Sequence, residues 1–108
     1  MDKNVYTAWL LDFYGAMLTE RQRYILSQHL DEDFSIAEIA KLEGVSRQGI
    51  FDTVKKAEAQ LLQMEEKLGL LKRFFSMRDA AQRALEMIKA GNPEGAGREI
   101  QSALEKEE

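Results

Sequence analysis

Large apolar residues recur at spacings of three and four along most of this chain, and nowhere alternate with polar ones long enough to make a strand. The pattern predicts an all-α helical bundle. A first helix is expected from about Val5 to Met17, with Tyr6, Trp9, Leu10, Phe13 and Met17 on one stripe. Thr19 then stands as the cap of a second helix, with Gln22 at the capping-box position. Tyr24, Ile25 and Leu30 supply its apolar contacts, and the acidic link Asp31-Glu32-Asp33 closes it.

The next stretch has the pattern of a helix-turn-helix over residues 35–56. Ser35 and Glu38 form a second capping box, with Phe34 and Ile39 spaced as a hydrophobic staple. Gly44 is suited to the left-handed conformation that ends a helix. Ser46 caps the following helix, with Val45 and Ile50 astride it, and Ala40 is small where two steeply crossing helices nearly touch. That following helix continues as one long helix over 47–68. Ile50, Val54, Ala57, Leu61, Met64, Leu68, Leu71 and Phe75 repeat along it at spacings of four and three, a heptad-like seam. Gly69 places a bend or break there, because a helical glycine costs roughly 1 kcal/mol relative to alanine.

C-terminal helices are expected over 70–105. Phe74, Met77, Ala81, Leu85 and Ile88 mark the inner face of one, and Ala90-Gly91-Asn92-Pro93 is a turn. Pro93 opens a last short helix with Ile100 and Leu104 facing inward. The whole chain, 1–108, reads as a single all-helical domain.

Composition narrows the function. The chain has 108 residues, is 44% hydrophobic, and carries a formal charge of -4. With 0 cysteines it has no disulfide framework and no thiolate metal site. No apolar run spans a bilayer and no signal peptide is evident, so a cytoplasmic protein without membrane insertion is expected. DNA-gripping proteins are usually basic, since phosphate neutralisation supplies most non-specific affinity. Here the acidity gathers near the C-terminus, where Glu94, Glu99, Glu105, Glu107 and Glu108 face only Arg98 and Lys106.

The helix after Ser46 buries Ile50, Val54 and Ala57 and so presents Arg47, Gln48, Phe51, Asp52 and Lys55, with Lys56 beside them. Arg47 is suited to guanine and Gln48 to adenine. Ser46, Lys55 and Lys56 are suited to phosphates. Asp52 would repel the backbone, and Phe51 is large and apolar for such a surface. Gly49 would let another backbone come close. The face therefore has three readings: a nucleic-acid surface, a protein-docking surface, or a solvated face. The residues Leu61, Met64, Leu68, Leu71 and Phe75 have two: packing within the chain, or a seam with a second copy in a homodimer.

The remaining candidates read as structural. His29, the only histidine, suits a helix end better than a zinc site. Asp31-Glu32-Asp33 lacks the spacing of a calcium loop. Trp9, Tyr6, Phe13 and Tyr14 at helical spacing suit a core better than a stacking platform. No Walker-type glycine loop or nucleophile set is present, so neither enzymatic activity nor a cofactor is expected.

The order Leu18-Thr19-Glu20-Arg21-Gln22, followed by EIAKLEGVSRQGI, resembles region four of bacterial sigma factors. A narrower resemblance, carried by Phe13-Tyr14 ahead of Leu18-Thr19 and by the Ser46–Asp52 run SRQGIFD, is to the YlxM family of small helix-turn-helix proteins. It spans roughly residues 9–75. The resemblance implies a sigma-like fold, with Phe51 and Asp52 belonging to the family's pattern. It implies a regulatory or accessory protein of the signal recognition particle pathway, encoded beside that particle's GTPase. Its partners would be DNA or the particle's RNA, or else the particle's GTPase or its receptor. The face of sigma factors is more basic than this one, which is a departure from their promoter-reading chemistry.

Overall fold

The computed structural model describes residues 1–106. They form six α-helices and one 3-10 turn: α1 Lys3–Tyr14, the turn Gly15–Met17, α2 Glu20–Leu30, α3 Ile36–Glu43, α4 Arg47–Leu68, α5 Leu70–Lys89 and α6 Pro93–Lys106. Among the described residues there is no strand, so the fold is all-α. The chain divides into two compact units, Met1–Leu68 and Gly69–Glu108.

In the first unit, local chemistry sets where each helix starts. The Thr19 hydroxyl accepts from Gln22 N at 3.1 Å while the Gln22 side chain accepts from Thr19 N at 3.0 Å. Ser35 and Glu38 repeat this reciprocal box at the head of α3. Gly44 ends α3 at φ +68, and Val45 N reaches back to Ala40 O at 3.1 Å, the hydrogen bond of a Schellman stop. His29 behaves as a helix-end residue, its Nδ1 donating to the Phe34 carbonyl at 2.9 Å.

The core of this unit is a meeting of α1, α2 and α3 on α4. Ile50, Val54, Ala57 and Leu61 make the buried stripe of α4 and close against Leu10, Tyr14, Ile25, Leu26 and Ile39. Each large aliphatic closed off in this way contributes about 1.5–3 kcal/mol. Three polar ties reinforce the packing. Tyr14 Oη donates to Glu65 Oε1 at 2.6 Å, Gln22 Nε2 donates to Gln60 Oε1 at 2.6 Å, and Lys3 pairs with Glu58 at 3.7 Å.

The first helix departs from the expected one. It ends at Tyr14, and Met17 is exposed in the 3-10 turn, which closes with Leu18 N on Gly15 O. Its buried row is Thr7, Leu10, Leu11 and Tyr14, leaving Tyr6, Trp9 and Phe13 half-buried. Thr7 can be enclosed because its hydroxyl donates to Lys3 O at 2.9 Å. In α2, Leu26 rather than Tyr24 joins Ile25 inside, and Tyr24 is exposed.

In the second unit, Gly69 at φ +64 separates α4 from α5. Pro93 occupies the first turn of α6, and the Asn92 side chain accepts from Gly95 N at 3.0 Å as its cap. The inner faces of α5 and α6 differ from those expected. Leu71, Ala80 and Ala84 are buried on α5, and Gly95, Ala96 and Ala103 on α6. Leu85, Ile88, Ile100 and Leu104 lie outside. Small side chains let the two helices approach closely, and these four aliphatics stay outside the seam.

Candidate nucleic-acid interface

The head of α4 is held by Ser46, whose hydroxyl accepts from Gly49 N at 3.0 Å. A Cβ added at Gly49 would meet the Ser46 hydroxyl at 3.2 Å, with no other atom within 4 Å. The glycine therefore leaves room for the cap. One turn on, Thr53 donates its hydroxyl to Gly49 O at 3.0 Å. Ile50 and Val54 anchor the far side of the helix in the core. This fixes the outward direction of Ser46, Arg47, Gln48, Phe51, Asp52, Lys55 and Lys56, all of which are exposed.

The side chains on this face are partly engaged with each other. Gln48 Nε2 donates to Asp52 Oδ1 at 2.8 Å. Lys55 Nζ lies 5.4 Å from the centre of the Phe51 ring, a cation–π contact, and 3.9 Å from Glu58. Arg47 and Lys56 have no ion pair or hydrogen-bonded side-chain partner among the described residues. Two charges on the face are therefore free for a ligand, while Asp52 and Lys55 are occupied.

The structure adds one residue that the sequence pattern did not single out. Lys41, in the last turn of α3, lines a shallow groove of about 530 Å³ with Ala37, Glu38, Ala40, Val45, Ser46 and Arg47. The Gly44 turn brings Lys41 and Arg47 to the same groove, and that neighbourhood exists only once the two helices are folded together. Glu38, on the same groove, has its carboxyl held below the usual range. The Ser35 backbone N–H contributes most to this, and the Ser35 hydroxyl adds to it.

The five residues Leu61, Met64, Leu68, Leu71 and Phe75 do not form one exposed seam. Leu61 and Leu71 are buried within the chain, Met64 and Phe75 half-buried, and Leu68 exposed. Among the described residues, no group of carboxylates and histidine is placed to hold a metal. No helix there is long and apolar enough to cross a membrane.

A left-handed glycine stop between a capped α3 and a longer, cation-bearing α4 defines this chain as a helix-turn-helix protein. Comparison with known proteins gives the family. Residues 1–93 match the model of UPF0122, described as "Putative helix-turn-helix protein, YlxM / p13 like", and the chain belongs to that family. It is 48% identical over 89 residues to a UPF0122 protein of Acetivibrio thermocellus, covering 82% of this chain and 74% of the relative. It is 37% identical over 106 residues to UPF0122 protein YlxM of Bacillus subtilis, covering 98% of this chain and 96% of that one. A UPF0122 protein of Clostridium botulinum is 39% identical over 89 residues, with 82% of each chain covered.

Proposed function

We propose that this protein is a nucleic-acid-binding regulatory or accessory protein that works through the outward face of α4. The observation that carries the reading is the pair of exposed, unengaged cations, Arg47 and Lys56, on the second helix of the helix-turn-helix. In this reading they neutralise phosphates, with Lys41 and the Ser46 hydroxyl at the helix head as further backbone contacts. Gln48 and Phe51 meet bases, the first by hydrogen bonding and the second by stacking. The ligand is DNA or the RNA of the signal recognition particle, and the protein acts in the cytoplasm.

The resemblance to the YlxM family is what links the reading to that targeting pathway. The deciding experiment is a fluorescence-anisotropy titration against signal recognition particle RNA and against random duplex DNA, each at two salt concentrations. Binding with a steep salt dependence, weakened by Arg47→Ala with Lys56→Ala, is the expected result. The preferred polymer separates an RNA adaptor from a transcription regulator. No binding to either polymer would overturn the reading.

One observation favours a second reading. Phe51 is 41% exposed, with Asp52 next to it, on a face whose formal charge is modest. That mixture also suits docking on a protein of the same pathway, its GTPase or the GTPase receptor. Phe51→Ala would then abolish capture of that partner without lowering the melting temperature, and a retained complex would exclude it.

A further inference from the structure

Helices α5 and α6 fold back on each other through the Ala90–Asn92 turn, with a seam of small residues: Ala80 and Ala84 on one side, Ala96 and Ala103 on the other. Arg83 pairs with Glu99 across this hairpin and so sets its register. Because the helices run in opposite directions, each step up α5 matches a step down α6. Lys89 is therefore level with Glu94, Gln82 with Gln101, and Arg78 with Glu105, to within about one residue.

Four large aliphatic residues of the hairpin lie outside this seam. On α5, Leu85 is 51% and Ile88 54% exposed, and on α6, Ile100 is 42% and Leu104 54% exposed. Each row sits roughly a quarter turn from its helix's seam residues, in the same rotational sense when viewed from that helix's own N-terminus. In an antiparallel pair, equal displacement in the same sense brings both rows to one side of the hairpin. Gly97 lies in the same row of α6, level with Leu85, and a Cβ there would meet nothing within 4 Å. A glycine inside a helix weakens it, and among the described residues no close contact requires this one.

The charges bordering the apolar rows differ by helix. Beyond the row on α5 come Arg78, Gln82 and Lys89, and beyond the row on α6 come Glu94, Gln101 and Glu105, with Arg98 lining the same groove as these three, so the α6 edge is acidic by two charges to one. We propose that this side of the hairpin is the docking surface for a second copy of the chain, paired about a two-fold axis parallel to the helices. Such an axis lays α5 of each copy on α6 of the other and keeps every residue at its own level. Leu85 then fills the hollow over Gly97 of the second copy, and the basic edge of each α5 meets the acidic edge of the opposing α6. The perpendicular axis would lay α5 on α5 and set like charges together. The face is thus complementary to itself in shape and in charge, as an isologous interface must be.

Size agrees with this assignment. Four large aliphatic side chains about half open present on the order of 400 Å² of apolar surface, the size of the largest patch on a typical monomer, which is often a functional one. With the charged edges the footprint approaches the roughly 800 Å² per partner of a stable interface. The surface draws on α6, which begins at Pro93 where the family match ends, and it does not depend on the nucleic-acid reading.

Sedimentation velocity of the full chain at micromolar concentration tests the proposal and should give the mass of two copies. Leu85→Glu with Leu104→Glu should keep the helical circular dichroism and raise the dissociation constant by about tenfold or more. Lys89→Glu and Glu94→Lys should each weaken association severalfold, and the two together should restore it. A one-copy mass for the unaltered chain would overturn the proposal. So would a two-copy mass unmoved by the apolar substitutions, or a double charge reversal no tighter than its singles.

Discussion

Gln48 and Asp52 stand one helical turn apart on the outward face of α4, joined by a hydrogen bond from the Gln48 amide to Asp52 Oδ1 at 2.8 Å. The bond orients the carboxylate but leaves its charge, so Asp52 opposes the phosphates that Arg47 and Lys56 would attract. Asp52→Asn keeps the shape and removes the charge. In the nucleic-acid reading it should tighten binding to random duplex DNA by about threefold to tenfold at low salt, with the gain shrinking as salt rises. Anisotropy titrations of the two proteins side by side would measure this, and equal affinities would remove the carboxylate from the account.

Arg47→Ala with Lys56→Ala removes the two cations that have no partner among the described residues. For every phosphate no longer neutralised, the slope of log affinity against log salt should fall by about 0.9, so the pair should lower it by roughly 2. Both side chains are exposed, and thermal unfolding should change little. An unchanged slope with weaker binding would mean that the arginine and lysine act through something other than phosphates.

What the sequence revealed of the fold follows from how local each feature is. Thr19 with Gln22, Ser35 with Glu38, and Gly44 act within about four residues of themselves, and the structure has all three as the pattern predicts. The faces of α1, α5 and α6 depend on which neighbour each helix meets. A row of large aliphatics on α5 and α6 looks like a core, yet Ala80, Ala84, Ala96 and Ala103 fill the seam and the aliphatics stay outside. Periodicity reports that a face is apolar and not what covers it. The outward set on α4 was legible because Ile50 and Val54 fix its opposite side. The Gln48–Asp52 bond, the Lys55–Phe51 contact and the place of Lys41 beside Arg47 depend on side-chain conformation and on the packed turn, which spacing does not encode.

Acid should loosen the head of α3. The Ser35 backbone N–H, and to a smaller extent its hydroxyl, hold the Glu38 carboxyl below the usual range. A group whose folded pKa is depressed supports the fold above its unfolded pKa and loses that support as pH falls through the folded value. The capping box should therefore be intact at neutral pH and fade below the ordinary carboxylate range. A carbon-detected NMR titration should place the Glu38 midpoint below that of exposed glutamates, and amide exchange at the start of α3 should quicken as it protonates. Glu38→Ala should abolish that pH dependence, and an ordinary midpoint for Glu38 would show that the box is not closed in solution.

Tyr14→Phe should be the costly conservative change in the first unit. Tyr14 is 1% exposed, its ring sits at the end of α1, and its hydroxyl donates to Glu65 Oε1 on α4 at 2.6 Å. Phenylalanine keeps the ring and its packing, so the loss isolates the hydroxyl. A hydrogen bond to a charged acceptor contributes about 1.5–3 kcal/mol, and removing the donor leaves a half-buried carboxylate short of one partner. Urea unfolding of the full chain should show a lower midpoint with an unchanged slope, since the surface exposed on unfolding is the same. Glu65→Gln retains an acceptor and should cost less than Tyr14→Phe. If the two substitutions cost the same and their combination simply adds, the bond does not couple α1 to α4, and packing of the ring alone holds the end of α1 in place.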